Sequence, residues 1–394
     1  MIQRSYFQTI KNRLNEPRSF IQVLYGPRQV GKTTLIKQVL DEISAPFLFA
    51  TADDIIGADG VWLRTTWNEA RLKIKTAKYT DFVLVIDEIQ KIENWSEIIK
   101  KEWDSDTFND IPIKLVILGS SSLLIQKGLT ESLAGRFEAI AITHWSFTEM
   151  NEAFDFDIDD YIWFGGYPGS AKLIKDEERW KQYIRTSLIE TSISRDILML
   201  SQIEKPALLR RLFNIGCSYS AQILSLTKVQ GELMEKGNIT TLSNYLSLLK
   251  SAGLLCGLEK FSGDIIRTRS SKPKFQVFNN ALISAQSELT KDMAKNDHKL
   301  WGRLVESAIG MHLLNKTYTE NFNLYYWNEN SNEVDFVIEK GDKIIGIEVK
   351  SGKDSTNNGM AIFESKFHPT ALYTVGTNGI PIEDFLRSNP SNLF

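Results

Sequence analysis

Two sets of side chains in this 394-residue sequence have the types and spacing to act on phosphates. The first opens with Gly26-Pro27-Arg28-Gln29-Val30-Gly31-Lys32-Thr33-Thr34, a complete G-x-x-x-x-G-K-S/T loop. Glycines let backbone N–H groups curl round phosphate oxygens with no Cβ in the way. Lys32 is placed to reach β- and γ-phosphates, and the Thr33 hydroxyl to ligate Mg²⁺. Further on, Asp87 and Glu88 follow an apolar run. Asp87 is expected in the Mg²⁺ shell, with Glu88 polarising the attacking water. Ser120 closes another apolar run, where a hydroxyl either senses the γ-phosphate or caps the next helix. Arg136 stands just before the last core strand, the place of an arginine finger acting on a neighbouring subunit's ATP, or of an ordinary surface residue. The chemistry this set predicts is binding and hydrolysis of ATP with Mg²⁺.

The second set is C-terminal. In Gly346-Ile347-Glu348-Val349-Lys350, Glu348 and Lys350 lie two apart and share one strand face. Asp335 with Glu348 could gather a divalent cation, while Lys350 orients a water for attack on phosphorus. Glu306, from a helix over residues 301–310, could complete the metal shell. The order helix–strand–strand–strand–helix–strand, ending at residues 371–375, looks like the PD-(D/E)xK nuclease fold. E-x-K is a common triplet, however, and no proline precedes Asp335. The alternative is a domain that keeps these residues for binding or assembly.

The elements that must position these groups are legible as apolar runs. Tyr6, Ile10 and Leu14 recur at helical spacing. Residues 20–25, 45–50, 81–86, 115–119 and 139–142 have the composition of strands, and residues 35–40 that of a helix. Near-continuous apolar runs fit parallel strands covered on both faces, with ligands held at their C-terminal ends. The fold class expected is α/β: a P-loop core, a parallel sheet with helices on both faces, over residues 1–145. A helical lid or connector over 146–205 follows, with a sharp turn at Gly165-Gly166 and Pro168-Gly169. Residues 206–262 outline a helix-turn-helix with a β wing, its second helix capped by Thr240-Thr241. A nuclease-like α/β domain fills residues 263–394.

Duplex DNA is the partner expected of residues 206–262, with packing as the alternative. The presumed recognition helix offers only Lys250 as a cation; the loop over 260–274 adds Lys260, Arg267, Arg269, Lys272 and Lys274. A net charge of −3 gives no global attraction to nucleic acid, so contact must be local. With 42% hydrophobic and 24% charged residues, the composition is that of a soluble globular protein. Cys217 and Cys256 have no metal-ligand spacing and suggest no disulfide framework. No apolar leader core and no long apolar run is present, so a cytoplasmic protein without a membrane partner is expected.

Taken together, the loop at 26–33, Ile86-Asp87-Glu88-Ile89-Gln90, Leu118-Gly119-Ser120-Ser121 and Ala134-Gly135-Arg136 resemble one bacterial and archaeal group of AAA+ ATPases. Its members carry a C-terminal domain long described as of unknown function. The likeness continues in Phe147-Thr148-Glu149 and Phe164-Gly165-Gly166-Tyr167-Pro168. It implies an ATP-hydrolysing core that assembles as a homo-oligomer, a hexameric ring among the forms expected. The function expected is an ATPase coupling hydrolysis to DNA binding, translocation or remodelling, in a repair, recombination or defence role, with cleavage left open. The alternative is a nucleotide-dependent switch that binds a protein partner and keeps a non-catalytic nuclease-like domain. A metabolic kinase is a weaker third reading, because no acceptor-binding signature accompanies the loop.

Overall fold

The computed structural model describes residues 2–53, 59–120, 129, 132–198, 203–232, 238–263, 271–352 and 358–394. The chain divides into two units, Met1–Ile142 and Thr143–Phe394.

The first unit is built on β1 (Ile21–Tyr25), β2 (Phe47–Thr51), β3 (Phe82–Asp87), β4 (Ile113–Gly119) and β5 (Phe137–Ala141). They form one parallel sheet in the order β2-β3-β4-β1-β5. β3 and β4 are buried along their whole length, as parallel strands covered on both faces must be. Alternate strand residues go to opposite faces and feed two apolar clusters. Leu24, Val83, Val85 and Val116 meet α1 (Phe7–Asn15) and α2 (Lys32–Glu42) through Ile10, Leu35 and Val39. Ile21, Leu84, Ile86 and Leu115 meet α3 (Gly60–Ala77) and α4 (Trp95–Phe108) through Trp67 and Trp103. The consequence for function lies in the order. β4 runs between β1 and β3, so the C-terminal ends carrying the glycine loop, Ser120 and Asp87-Glu88 are neighbours.

The second unit begins with α5 (Phe147–Phe154), α6 (Ile158–Phe164) and α7 (Glu177–Tyr183), the last running on into π-helical turns at Ile184–Ile189 and Ser192–Leu198. Glu149, of the Phe147-Thr148-Glu149 motif, closes a capping box with Ser146 at the start of α5. Next come α8 (Pro206–Ser218), β6 (Gln222–Ile223), α9 (Leu226–Glu232), α10 (Ile239–Ser251), β7 (Leu255–Leu258) and β8 (Lys274–Val277). The three strands form an antiparallel sheet with β8 in the centre. α10 is capped by Asn238, whose side chain accepts from the Thr240 N–H at 3.1 Å. Thr240 and Thr241 lie inside the first turn rather than at the cap, because asparagine one step earlier already fills that role. The final segment runs α11 (His298–Lys316), β9 (Asn323–Glu329), β10 (Asn332–Lys340), β11 (Lys343–Lys350), α12 (Gly359–Phe367) and β12 (Ala371–Gly376). Its mixed sheet has the order β12-β11-β10-β9, with β11 and β12 parallel and the other pairs antiparallel.

The Gly165-Gly166 turn is a packing joint. Gly165 has φ +68°, and a Cβ there would stand 1.9 Å from Asn279 Oδ1. The Gly166 N–H donates to that same oxygen at 3.1 Å. Asn280 donates to the carbonyls of Ile162 and Leu304, both at 2.9 Å, and accepts from Ser307 Oγ at 2.8 Å. Buried amides therefore tie the turn to α11 with their polar atoms satisfied, as burial requires.

Candidate phosphate-binding site and C-terminal acid cluster

The loop after β1 is shaped by its backbone. A Cβ on Gly26 would lie 2.0 Å from the Ile142 carbonyl oxygen, so only glycine fits beside that chain. Gln29 at φ 62° and Gly31 at φ 86° then reverse the chain into α2. Gly31 caps α2 without a side-chain acceptor, which leaves the first-turn N–H groups and the positive end of the helix dipole to serve the loop. Lys32 is buried, and its ammonium donates to the carbonyls of Gly26 at 2.9 Å and Pro27 at 2.8 Å. Val30 is in the core, Arg28 is half-buried, and Gln29 and Thr34 are exposed. Arg4, outside every motif in the sequence, also belongs here. This buried guanidinium donates to the Val30 carbonyl at 3.1 Å and braces the loop from a residue far outside it. Nothing in the spacing of Arg4 signals that role.

Opposite the loop, Thr33 Oγ1 donates to Asp87 Oδ2 at 2.8 Å. The two groups expected to ligate Mg²⁺ are thus side by side, and both are hard oxygen donors of the kind that ion takes. The second Asp87 oxygen accepts from the Glu88 N–H at 2.9 Å. Glu88 itself sits at φ 55°. Its carboxylate accepts from Gln90 Nε2 at 2.5 Å and from Ser120 Oγ at 3.3 Å, and the Gln90 amide is also 3.1 Å from Ser120 Oγ. Ser120 and Glu88 are therefore joined, as strand order requires. Gln90, to which the sequence reading gave no role, is the link. Ser121 and Ser122 lie outside the described residues.

Arg136 is not part of that group. Its guanidinium grips Asp104 of α4 with two parallel bonds, Nε to Oδ1 at 2.8 Å and Nη2 to Oδ2 at 3.0 Å. That fork geometry suits arginine, and the pair stays about a third exposed or more.

The C-terminal set has a different organisation. Lys274, at the start of β8, is fully buried. Its ammonium lies 2.6 Å from Glu306 Oε1, 3.1 Å from Glu333 Oε1 and 3.6 Å from Asp335 Oδ1. It also donates to the Asp335 carbonyl at 3.2 Å. Burial works to lower the pKa of this ammonium, but Glu306, Asp335 and Glu333 outweigh it and hold the group well above lysine's ordinary value. Burial, and then the Asp335 charge, push the Glu306 carboxyl upward against the pull of Lys274. The remaining Asp335 oxygen, Oδ2, accepts from the Val349 N–H at 2.7 Å. Glu348 is buried and Lys350 half-buried at the end of β11. Among the described residues, no group of three His, Cys, Asp or Glu side chains is arranged to hold a metal ion. Of the three acids expected to gather a cation, Glu306 and Asp335 face the Lys274 ammonium.

This corrects the basic loop as well. Lys274 is not a DNA-facing cation, because it belongs to the central strand of its sheet and points into the acids. Lys272 is exposed and Lys260 half-buried, while Arg267 and Arg269 lie outside the described residues. The two cysteines are also buried; the Cys217 thiol is pushed up to about 12 by burial, so it is an unreactive packing group.

Three stretches of the chain match known protein families. Residues 18–151 match the family model of an AAA domain. Residues 155–293 and 301–386 match models of two domains of unknown function, DUF8612 and DUF4143. An uncharacterized protein of Methanocaldococcus jannaschii is 27% identical over 343 residues, covering 81% of this chain and 72% of that protein. One from Mycobacterium tuberculosis is 25% identical over 382 residues, covering 95% and 81%. Among solved structures, the Aeropyrum pernix Orc1 protein in complex with DNA aligns over 73% of this chain and 93% of its own, at 13% identity and a TM-score of 0.33. The Thermotoga maritima RuvB Holliday junction branch migration motor aligns over 64% and 85%, at 18% identity and the same TM-score of 0.33. Likeness at that score transfers nothing about partners. By loop motif and family model together, residues 18–151 are an AAA-type P-loop domain.

Proposed function

We propose that this chain is an ATPase whose first unit binds ATP with Mg²⁺ and hydrolyses it, and that hydrolysis drives an action on DNA. The observation that carries the ATPase half is the joint placement of Thr33 with Asp87 and of Glu88 with Ser120 beside the glycine loop. The loop N–H groups and the start of α2 receive the β- and γ-phosphates. Lys32 exchanges neutral carbonyl partners for charged phosphate oxygens, which bind an ammonium more strongly. Thr33 and Asp87 hold Mg²⁺, which when bound neutralises charge on the phosphates. Glu88 orients the water and accepts its proton as the γ-phosphoryl group leaves, and Ser120 reports the γ-phosphate to it. Arg136 serves a neighbour's site in a homo-oligomeric ring once it leaves Asp104.

The DNA half rests on α10. Thr240, Ser243, Asn244, Ser247 and Lys250 are exposed along it, with no acidic residue in the helix. Hydroxyl, amide and ammonium donors of this kind contact phosphate oxygens and sugars. The competing reading, a nucleotide-dependent switch for a protein partner, gains from the burial of Lys274, which removes one cation from the DNA face. No described helix is long and apolar enough to cross a membrane.

ATP turnover measured with Mg²⁺, alone and with single-stranded, duplex and branched DNA, separates these readings. Turnover that rises with at least one DNA supports both halves. Turnover without any DNA effect, and no DNA binding at low salt, removes the DNA half and leaves the ATPase. No turnover and no ATP binding overturns the whole.

A further inference from the structure

The acid cluster supports an inference independent of the ATPase reading. We propose that Lys274 is a built-in cation that occupies the place where a nuclease would hold a metal, so that the C-terminal domain does not cut DNA and the cluster instead locks β8 onto α11 and β10.

Metal-assisted attack on a phosphodiester needs carboxylates free to gather the ion. Here Glu306 and Asp335, two of the three acids best placed to do so, both face the Lys274 ammonium, at 2.6 Å and 3.6 Å. Glu333 adds a third carboxylate at 3.1 Å. The free side of Asp335 is occupied too, by the Val349 N–H at 2.7 Å. A divalent ion entering between these acids must displace an ammonium that has no exposed surface and so no water to turn to. Leaving a buried charge unpaired is among the more expensive changes a fold can suffer. Removing the metal from this reading also removes the role of Lys350, which was to orient a water beside it.

The lock extends along the same strand face. Gln276, two residues after Lys274, donates to the Ser307 carbonyl at 2.9 Å and lies 3.3 Å from Ser307 Oγ. A Cβ on Gly310 would stand 2.1 Å from Gln276 Oε1, so α11 is cut back to glycine where this side chain crosses it. Lys274 and Gln276 thus present a polar grip to consecutive turns of α11.

The test is Mn²⁺ binding by the full chain, measured by calorimetry and by the metal's effect on thermal unfolding. An Asp87→Ala background keeps the ATP site out of the signal. The expected result is no saturable binding and no cleavage of single-stranded, duplex or branched DNA. Lys274→Met should then gain saturable Mn²⁺ binding that the parent lacks, because the acids lose their internal cation. Asp335→Asn added to Lys274→Met should abolish that gain. Mn²⁺ binding or DNA cleavage by the parent that Asp335→Asn removes overturns the proposal. A folded Lys274→Met protein that gains no metal affinity overturns it as well. If that variant fails to fold, the parent alone decides, by binding Mn²⁺ through Asp335 or failing to. None of these readouts depends on ATP turnover, so the outcome does not touch the ATPase reading.

Discussion

Lys32 and Lys274 are both buried lysines, yet their ammonium groups rest on opposite kinds of partner. Lys32 lies on the carbonyls of Gly26 and Pro27, neutral partners that an incoming phosphate can replace. Lys274 lies among Glu306, Glu333 and Asp335, three carboxyl groups in place of neutral carbonyls. The acids differ in the same sense. Asp87 is held by a threonine hydroxyl and a backbone N–H, both compatible with a metal arriving beside it. Glu306 and Asp335 already face a cation. A ligand site keeps its charges on weak partners; a structural site satisfies them internally. Residue types alone do not distinguish the two.

The sharpest way to break this comparison is at Glu88. Glu88→Gln should keep ATP binding while hydrolysis slows about 10²–10⁴-fold, the usual contribution of a positioned base. Nucleotide titration and single-turnover hydrolysis measure the two separately, and an unchanged rate would take Glu88 out of the mechanism.

Truncating the two lysines comes next in size. Lys274→Met should cost up to about 3 kcal/mol in urea unfolding, because it strands three partly buried carboxylates, 15–33% exposed. Lys32→Met should abolish ATP binding while shifting nucleotide-free unfolding far less, since the hydrogen bonds it loses to neutral carbonyls are worth about 1 kcal/mol each. Equal stability losses in the two variants would show that both lysines are structural.

Per pH unit, the smallest effect is a slope in the second unit. His312, buried against the Phe385 ring at 5.9 Å between centroids, is pushed down to about 3 by burial and then by Lys316. The unfolded chain takes up that proton near pH ~6.5. Between these values the unfolded state binds more protons, so stability is full above that ordinary value and falls as pH drops toward the folded one. The slope is on the order of 1 kcal/mol per pH unit. His312→Leu should flatten it, and a wild-type curve already flat between those limits would mean that the ring is protonated in place.

Much of the candidate phosphate-binding site was legible in the sequence because it is local. The glycine loop, Lys32 and Thr33 are contiguous, and the backbone conformations they need are set by their own residue types. Asp87 and Glu88 follow directly from the strand that delivers them. The five strands of the first unit announced themselves as apolar runs, since a parallel strand buried on both faces cannot hide its composition. What stayed hidden depends on chain segments far apart in sequence. Arg4 reaches Val30 and Gln90 reaches Ser120 only because the fold brings them there, and the grip of Asp104 on Arg136 is not encoded near either residue.

Lys274 shows the limit most plainly. Its strand, Lys274-Phe275-Gln276-Val277, is buried at every position, so no alternation of polar and apolar residues marks which way the lysine points. In sequence it closes a run of cations and reads as one more of them. Only the docking of β8 against α11 and β10 brings three carboxylates to its ammonium. Sequence fixes which groups are available and how the chain bends locally, because those depend on each residue and its immediate neighbours. Tertiary structure decides which charges are already satisfied, because Coulomb attraction and desolvation act through space rather than along the chain.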